Sequence, residues 1–365
     1  MKIMAAVVEA QNAPFTIQEL ELKDPEANEV LVRIEATGIC HTDAGAQMMS
    51  FPTQYPIVLG HEASGVVEKL GPGVTHIKEG DRVILSYCYC GHCSSCLQAN
   101  PGGCSENGRL NFGGRMEDGT FRLFRGGKPV HSFFGQASFA THAVANQKNV
   151  IVVNDEDVDL GLLGPLGCGL LTGAATVLHC IRPEFGSSIA VFGCGAVGLS
   201  AIMGARLSPC ADIVAVDIVD SKLALAKELG ATHVVNGSKE NVKERIAEIT
   251  GGGVNYAVEA SGVGPVFKQA LSSLASAGRL VVIAVGHKEV TLDVPGEILF
   301  PTRTIEGTIE GGVMPQAFVP KLVQYYRMGR FPFDKLITYY PFEQINEAFE
   351  AARNGAAVKP VLRIG

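Results

Sequence analysis

The sequence lacks any uninterrupted apolar stretch of the roughly 20 residues a membrane helix needs, so no membrane span is expected. Its opening, MKIMAAVVEAQNAPF, has one Lys and a short apolar run, without the apolar core and cleavage pattern of a secretory signal. The closing KPVLRIG carries no lipidation or retention signal, and no targeting segment is expected at either end. A basic stripe is also missing. The 30 Lys and Arg are dispersed among 37 Asp and Glu, with a formal net charge of −7, which argues against nucleic acid as a partner. No fixed-period repeat is visible, and the 43 glycines follow no period, so neither a repeat array nor a collagen-like chain is indicated. Without an export signal the ten cysteines do not read as a disulfide framework. In a reducing, cytoplasmic setting clustered Cys points to metal binding or catalysis.

What is present fits two domains. A chain of 365 residues with 47% hydrophobic side chains is too long for one typical core and apolar enough for two. Through about residue 87 the chain reads as strands: AAVVEA, FTIQELEL, EVLVRIEATG, IVLGHEASGVVEKL and RVILSY, punctuated by GPG and EGD turns. Residues 88–135 read as a long loop. LGLLGPLGCGLLTGAATVLHC is a buried helix interrupted by glycines. From SIAVFG onward strands alternate with helices, including one around 264–277 and a strand at RLVVIAVG. That alternation predicts βαβ units and a doubly wound parallel sheet covered on both faces. Helices at PQAFVPKLVQYYRMG and FEQINEAFEAARNG and a strand at VKPVLRIG close the chain.

GCGAVG at 193–198 has the G-x-G-x-x-G spacing of a Rossmann dinucleotide site. It follows the strand SIAVF and opens a helix, a context in which Gly193, Gly195 and Gly198 allow a tight turn, close approach of a pyrophosphate, and helix–strand packing. An ordinary glycine turn would not need that context. Asp217 ends the next strand, 19 residues past Gly198. A carboxylate there accepts hydrogen bonds from ribose hydroxyls and repels an added phosphate, which favours NAD over NADP.

Cys90, Cys93, Cys96 and Cys104 follow C-x2-C-x2-C-x7-C. Four thiolates can close around one zinc and staple a loop with little apolar area of its own. An iron–sulfur cluster uses similar spacings, and free or paired cysteines are the plainer alternative. Cys88 reads as a spare thiol beside the set. Cys40, His61 and Cys168 are scattered. If they converge, two thiolates, one imidazole and an open position make a catalytic zinc site; a lone Cys on an apolar segment otherwise reads as a small core residue.

GHEASGVVEKLGPGV (60–74), the four-cysteine lobe, GCG (167–169) and GCGAVG (193–198) occur together and in order. With them the chain resembles the zinc-containing medium-chain alcohol dehydrogenases over its whole length. GRMEDGTFRLFRGGKPVHSFFG is similar to the long-loop branch typified by the liver enzyme, and CHTD to the aryl- (benzyl-) alcohol dehydrogenases of that branch. The resemblance implies a mostly β, GroES-like catalytic domain over 1–169 and 310–365, with a structural zinc lobe at about 88–110, and a Rossmann NAD-binding domain over 170–309. It implies two zinc ions per chain: a catalytic one on Cys40, His61 and Cys168 and a structural one on Cys90, Cys93, Cys96 and Cys104.

Further roles are implied residue by residue. Asp43 orients His61, Glu62 is a carboxylate near the metal, and Thr42 holds the substrate oxygen and begins a proton relay. Asp217 and Lys222 bind the adenosine ribose. Thr172 and Val197 pack on the nicotinamide, and Arg363 contacts the pyrophosphate. The chain departs from the family at two places: Gly45 stands where many members have a relay His, and His41 where many have Arg. His41 is therefore assigned to the pyrophosphate and to the outer end of the relay; a plain loop histidine is the bland reading. Phe133, Phe134, Ser86 and Ile309 are the expected lining of a pocket between the domains, suited to a primary aromatic or allylic alcohol, though the two Phe also read as core. The implied reaction is hydride transfer between the alcohol/aldehyde pair and nicotinamide C4, with Lewis acidity from zinc. A glutathione-dependent formaldehyde dehydrogenase of the same branch is one alternative. A zinc-free, non-catalytic relative is another, and it would be expected to lack Cys40, His61 and Cys168. A homodimer or homotetramer is expected, joined along the nucleotide domain's sheet edge at RLVVIAVG and the residues after it.

Overall fold

Strand Glu29–Gly38 shows how the sequence builds its cores. Side chains alternate across a strand: Val30, Val32 and Ile34 enter one buried cluster while Leu31 enters another. In the computed structural model, which describes residues 1–48, 51, 53–286 and 289–364, this strand lies within a seven-stranded sheet. The order is Val150–Val152, Arg82–Leu85, Ala63–Leu70, Glu29–Gly38, Lys359–Arg363, Ile337–Pro341, with His142–Asn146 also paired to Glu29–Gly38. Beside it, Lys2–Val8, Thr16–Leu22, Leu123–Arg125, Lys128–Ser132 and Ile57–Val58 close a small barrel. These elements belong to one compact unit, Met1–Cys168 with Met314–Arg327 and Phe333–Gly365.

The second unit is Gly169–Val313 with Met328–Pro332. It thus extends to Val313, past the expected boundary at 309. Its six strands are all parallel, in the order His233–Asn236, Asp212–Asp217, Ser188–Phe192, Val254–Glu259, Leu274–Val282, Thr304–Gly307. That is the 3-2-1-4-5-6 order of a doubly wound dinucleotide fold. Ser188–Phe192 is buried at every position because helices cover both faces of the sheet.

Three expectations are corrected. The helix placed at 264–277 ends at Ser272, and the chain enters a strand at Leu274. Ala277 then takes a φ of 58°, which no helix continues through. RLVVIAVG lies between two partner strands, so it is not a sheet edge; the edge is Thr304–Gly307, and residues 287 and 288 lie outside the described residues. The stretch 88–135 is not one loop. It holds short helices at Ser94–Leu97 and Asn107–Phe112 and two barrel strands. Among the described residues no single helix is long and apolar enough to cross a membrane.

Candidate active site

Cys40 stands in extended conformation before the short helix His41–Gln47. Asp43, in the first turn of that helix, is fully buried. A buried carboxylate must be satisfied by donors, and Asp43 is: Oδ2 accepts from Cys40 N at 3.2 Å, and Oδ1 accepts from Gly60 N at 3.0 Å and meets His61 Nδ1 at 3.0 Å. Gly60 makes the approach possible. Its φ is +93°, and a β-carbon there would stand 2.5 Å from Phe139 N.

With Nδ1 engaged by Asp43, His61 Nε2 is left buried with no hydrogen-bond partner. An unsatisfied buried polar atom is costly, and its surroundings explain it. Ligand atoms of Cys40, His61, Glu62 and Cys168 all lie within 4.8 Å of one another. The Cys168 thiol beside it holds the Cys40 thiol well below its ordinary pKa, against the opposing effect of burial. Glu62 is committed elsewhere: Lys359 Nζ donates to its two oxygens at 3.1 and 2.8 Å, and both side chains are buried. Burial lifts the Glu62 carboxyl above its usual range, while the Lys359 ammonium pulls it down. Two thiols and a free imidazole lone pair fit zinc. Thr42 Oγ1 accepts from Cys40 Sγ at 3.6 Å, and His41 is exposed at the head of the helix. Position 45 is buried glycine and offers no relay group.

Phe134 stacks on the His61 ring with centroids 4.5 Å apart, and Phe133 meets it edge-on at 5.8 Å. Both phenylalanines are buried. Ser86 is also buried, and its hydroxyl donates to Gly167 O at 2.6 Å, which ties down the segment leading to Cys168. Arg363 is occupied within its own unit: it donates to Asp159 and lies over the Tyr339 ring at 4.1 Å.

The ligand atoms of Cys90, Cys93, Cys96 and Cys104 form a second cluster within 4.8 Å. Backbone N–H groups point at its sulfurs, Cys90 N to Cys104 Sγ and Cys93 N to Cys90 Sγ, each at 3.3 Å. Such donors stabilise thiolates. Backbone donors of Cys96 and Ser105 hold the Cys93 thiol at about 5. Cys88 stays outside the cluster, where burial pushes its thiol up to about 12. All ten cysteines are unpaired.

In the parallel-sheet unit, Gly193 takes a φ of +95°, and a β-carbon at Gly198 would stand 1.8 Å from Gly193 O, so neither position admits a side chain. Gly195 begins the helix Ala196–Leu207 with nothing within 4 Å of where its β-carbon would be, an open cradle at a helix N-terminus that suits a pyrophosphate. Asp217 Oδ2 accepts from Cys194 N at 2.7 Å, and Oδ1 from Ile218 N at 2.8 Å and Val219 N at 3.0 Å. Those three donors fix the carboxylate at the strand's carboxyl end. Val197 and Lys222 are half-buried in the first turns of their helices, and Thr172 is buried with its hydroxyl donated to Glu310 Oε2 at 3.0 Å. Ile309 is exposed one residue before Glu310.

Two participants escaped the sequence reading. Lys359 was one lysine in an apolar strand, and Glu310 one acid before two glycines; only burial and partners distinguish them.

Known proteins agree with this geometry. Residues 26–155 match the alcohol dehydrogenase GroES-like domain, and residues 196–325 match the zinc-binding dehydrogenase family. The chain is 42% identical over 364 residues to the geraniol dehydrogenase of Castellaniella defragrans, covering 98% of this chain and 96% of that protein. The crystal structure of benzyl alcohol dehydrogenase from Acinetobacter calcoaceticus superposes with a TM-score of 0.96 at 42% identity, covering 100% of both chains. An alcohol dehydrogenase zinc-binding domain protein from Burkholderia ambifaria gives 0.97 at 46% identity, covering 100% of this chain and 99% of that one. The chain belongs to the zinc-binding alcohol dehydrogenases, oxidoreductases that combine a GroES-like domain with a Rossmann sheet and work on small alcohols and aldehydes with zinc and a nicotinamide cofactor.

Proposed function

We propose that this enzyme oxidises a primary aromatic or allylic alcohol with NAD, and reduces the corresponding aldehyde, at a zinc held by Cys40, His61 and Cys168. The buried Nε2 of His61, unpartnered among two thiols and a carboxylate, carries the reading. Zinc held there supplies Lewis acidity toward an alcohol or carbonyl oxygen, and NAD supplies the hydride acceptor.

The chain's own groups do the rest. Asp43 keeps the proton on His61 Nδ1, so Nε2 presents its lone pair inward. Lys359 holds Glu62 by both oxygens, which leaves the thiols and the imidazole as the ligand set. Thr42 is assigned to accept the substrate hydroxyl's hydrogen bond, and His41, exposed at the head of its helix, to carry that proton to solvent and to bind the cofactor pyrophosphate. Phe133 and Phe134 give the His61 side an aromatic wall, which suits a flat substrate. Ser86 and Ile309 complete the assigned lining. The relatives named for geraniol and benzyl alcohol, one allylic and one benzylic, support the same substrate class.

The unit Gly169–Val313, which holds the expected 170–309, binds NAD in this reading, and the other unit is the catalytic one. Gly193, Gly195 and Gly198 make room for the pyrophosphate, Asp217 and Lys222 take the adenosine ribose, and Thr172 and Val197 pack on the nicotinamide. Arg363 is assigned to the pyrophosphate, with Asp159 holding its guanidinium in the meantime. Cys90, Cys93, Cys96 and Cys104 hold a structural zinc. Ten unpaired thiols suit the cytoplasm. A homodimer or homotetramer forms through the edge strand Thr304–Gly307, near Leu299 and Phe300, which are 64% and 80% exposed.

Metal analysis tests the assignment. Two clusters predict two zinc ions per chain in the wild type. Cys40→Ser should retain one and lose NAD-linked oxidation of benzyl alcohol and geraniol. A variant that kept both ions would overturn the catalytic ligand set.

A further inference from the structure

Two carboxylates lie buried near the carboxyl ends of the parallel strands, and the mechanism above uses neither. Glu259 is spent on its own turn, accepting from Ser261 N, Gly262 N and the Ser261 hydroxyl. Glu310 reaches a different element. Its Oε2 accepts the Thr172 hydroxyl, 138 residues away in sequence.

The backbone holds Glu310 in an unusual place. Its φ is 52°, and Gly311 and Gly312 follow at 63° and 70°, three left-handed residues in succession. A β-carbon disfavours that region, so a glutamate there is held by its surroundings. The surroundings are close: a β-carbon on Gly311 would stand 2.4 Å from Ala175 Cβ, so the turn lies directly on the helix Gly169–Ala175 that carries Thr172.

Topology says what this spot faces. A dinucleotide lies across the carboxyl ends of a doubly wound sheet. Asp217 ends a strand on one side of Ser188–Phe192, the strand that leads into the glycine turn. With the adenosine ribose at Asp217 and the pyrophosphate at the Ala196–Leu207 helix, the second nucleoside extends over Val254–Glu259, Leu274–Val282 and Thr304–Gly307. Glu310 follows the last of these strands by three residues.

We infer that Glu310 selects the redox state of the cofactor: its carboxylate, fixed through the Thr172 hydroxyl in the nicotinamide subsite, favours the cationic oxidised ring over the neutral reduced one. The inference rests on the NAD reading above. Hydride transfer removes one positive charge from the ring, so a fixed negative charge in a poorly solvated site acts on one redox state and hardly on the other. It tightens NAD+ and leaves NADH almost unaffected, so the bound cofactor is biased toward its oxidised state.

Glu310→Gln keeps an acceptor for Thr172 and removes the charge; Glu310→Asp keeps the charge. The zinc-loaded wild type and both variants are titrated with NAD+, NADH and ADP-ribose, which lacks the ring. Glu310→Gln should raise the Kd ratio of NAD+ to NADH about tenfold and leave ADP-ribose affinity unchanged, and Glu310→Asp should stay near the wild-type ratio. A wild-type ratio in Glu310→Gln would overturn the inference, as would equal loss of ADP-ribose and NAD+, or an equal shift in Glu310→Asp. Either of the last two marks Glu310 as a scaffold residue. A wild type that bound neither ADP-ribose nor NADH would overturn the nucleotide assignment itself, a result distinct from all of these.

Discussion

The Asp43 carboxylate is not one of the proposed metal's ligands, yet it decides what His61 can do. Its carboxylate accepts from two backbone amides and the imidazole at once, so the ring can neither turn nor exchange its proton between nitrogens at low cost. Asn at this position would offer an amide N–H as readily as an oxygen, and the imidazole would lose its fixed tautomer. Competition with a chromogenic chelator should show Asp43→Asn binding the more weakly held zinc about 10- to 100-fold less tightly. Unchanged affinity would mean that the thiols alone set the binding. Lys359 makes the same point by another route. Removing it would leave Glu62 as an uncompensated buried charge beside the ligands, a far greater cost than the loss of one surface lysine.

At the scale of elements, the four-cysteine lobe is the clearest dependence of structure on metal. Its helix Ser94–Leu97 has four residues, too few to persist alone, and Leu97 is exposed rather than packed. Cys93→Ser should leave one zinc per chain, lower the thermal midpoint by several degrees, and open residues 90–110 to limited proteolysis, read by the masses of the fragments. Retention of both ions would assign the lobe's order to something other than its thiols. This lobe and the glycine turn were legible because their chemistry is local: ligands separated by only two or seven intervening residues, glycines at fixed offsets after a strand. The convergence of Cys40, His61 and Cys168 could only be inferred from resemblance, because proximity of residues this far apart in sequence leaves no periodic trace. The helix expected to run to 277 shows the limit from the other side. ALSSLASAG has helix-forming composition, and what stops the helix is parallel pairing of Leu274 with Val254, a tertiary choice.

For the whole molecule, the sheet of the second unit ends, among the described residues, at a strand paired on one side only, next to large apolar side chains. RLVVIAVG, where the resemblance put the sheet edge, is paired on both sides; apolar runs mark the middle of a parallel sheet, and edges are marked by what they lack. If Thr304–Gly307 and its flank bind a second copy, Phe300→Glu should bring the mass measured by light scattering down to that of a single chain, with zinc content unchanged. An unaltered mass would move the interface elsewhere on the surface.

Strand Lys359–Arg363 pairs with Glu29–Gly38 and brings Lys359 to Glu62, 297 residues earlier in the chain. On a ribosome that order has a temporal meaning. Cys40, His61 and Cys168 emerge long before the lysine that neutralises their acidic neighbour. Until that strand docks, Glu62 must stay hydrated or protonated, so water must remain beside the thiols. Synthesis therefore sets the schedule of maturation: the four-cysteine cluster can assemble early, while the cluster of Cys40, His61 and Cys168 is completed among the last events of folding.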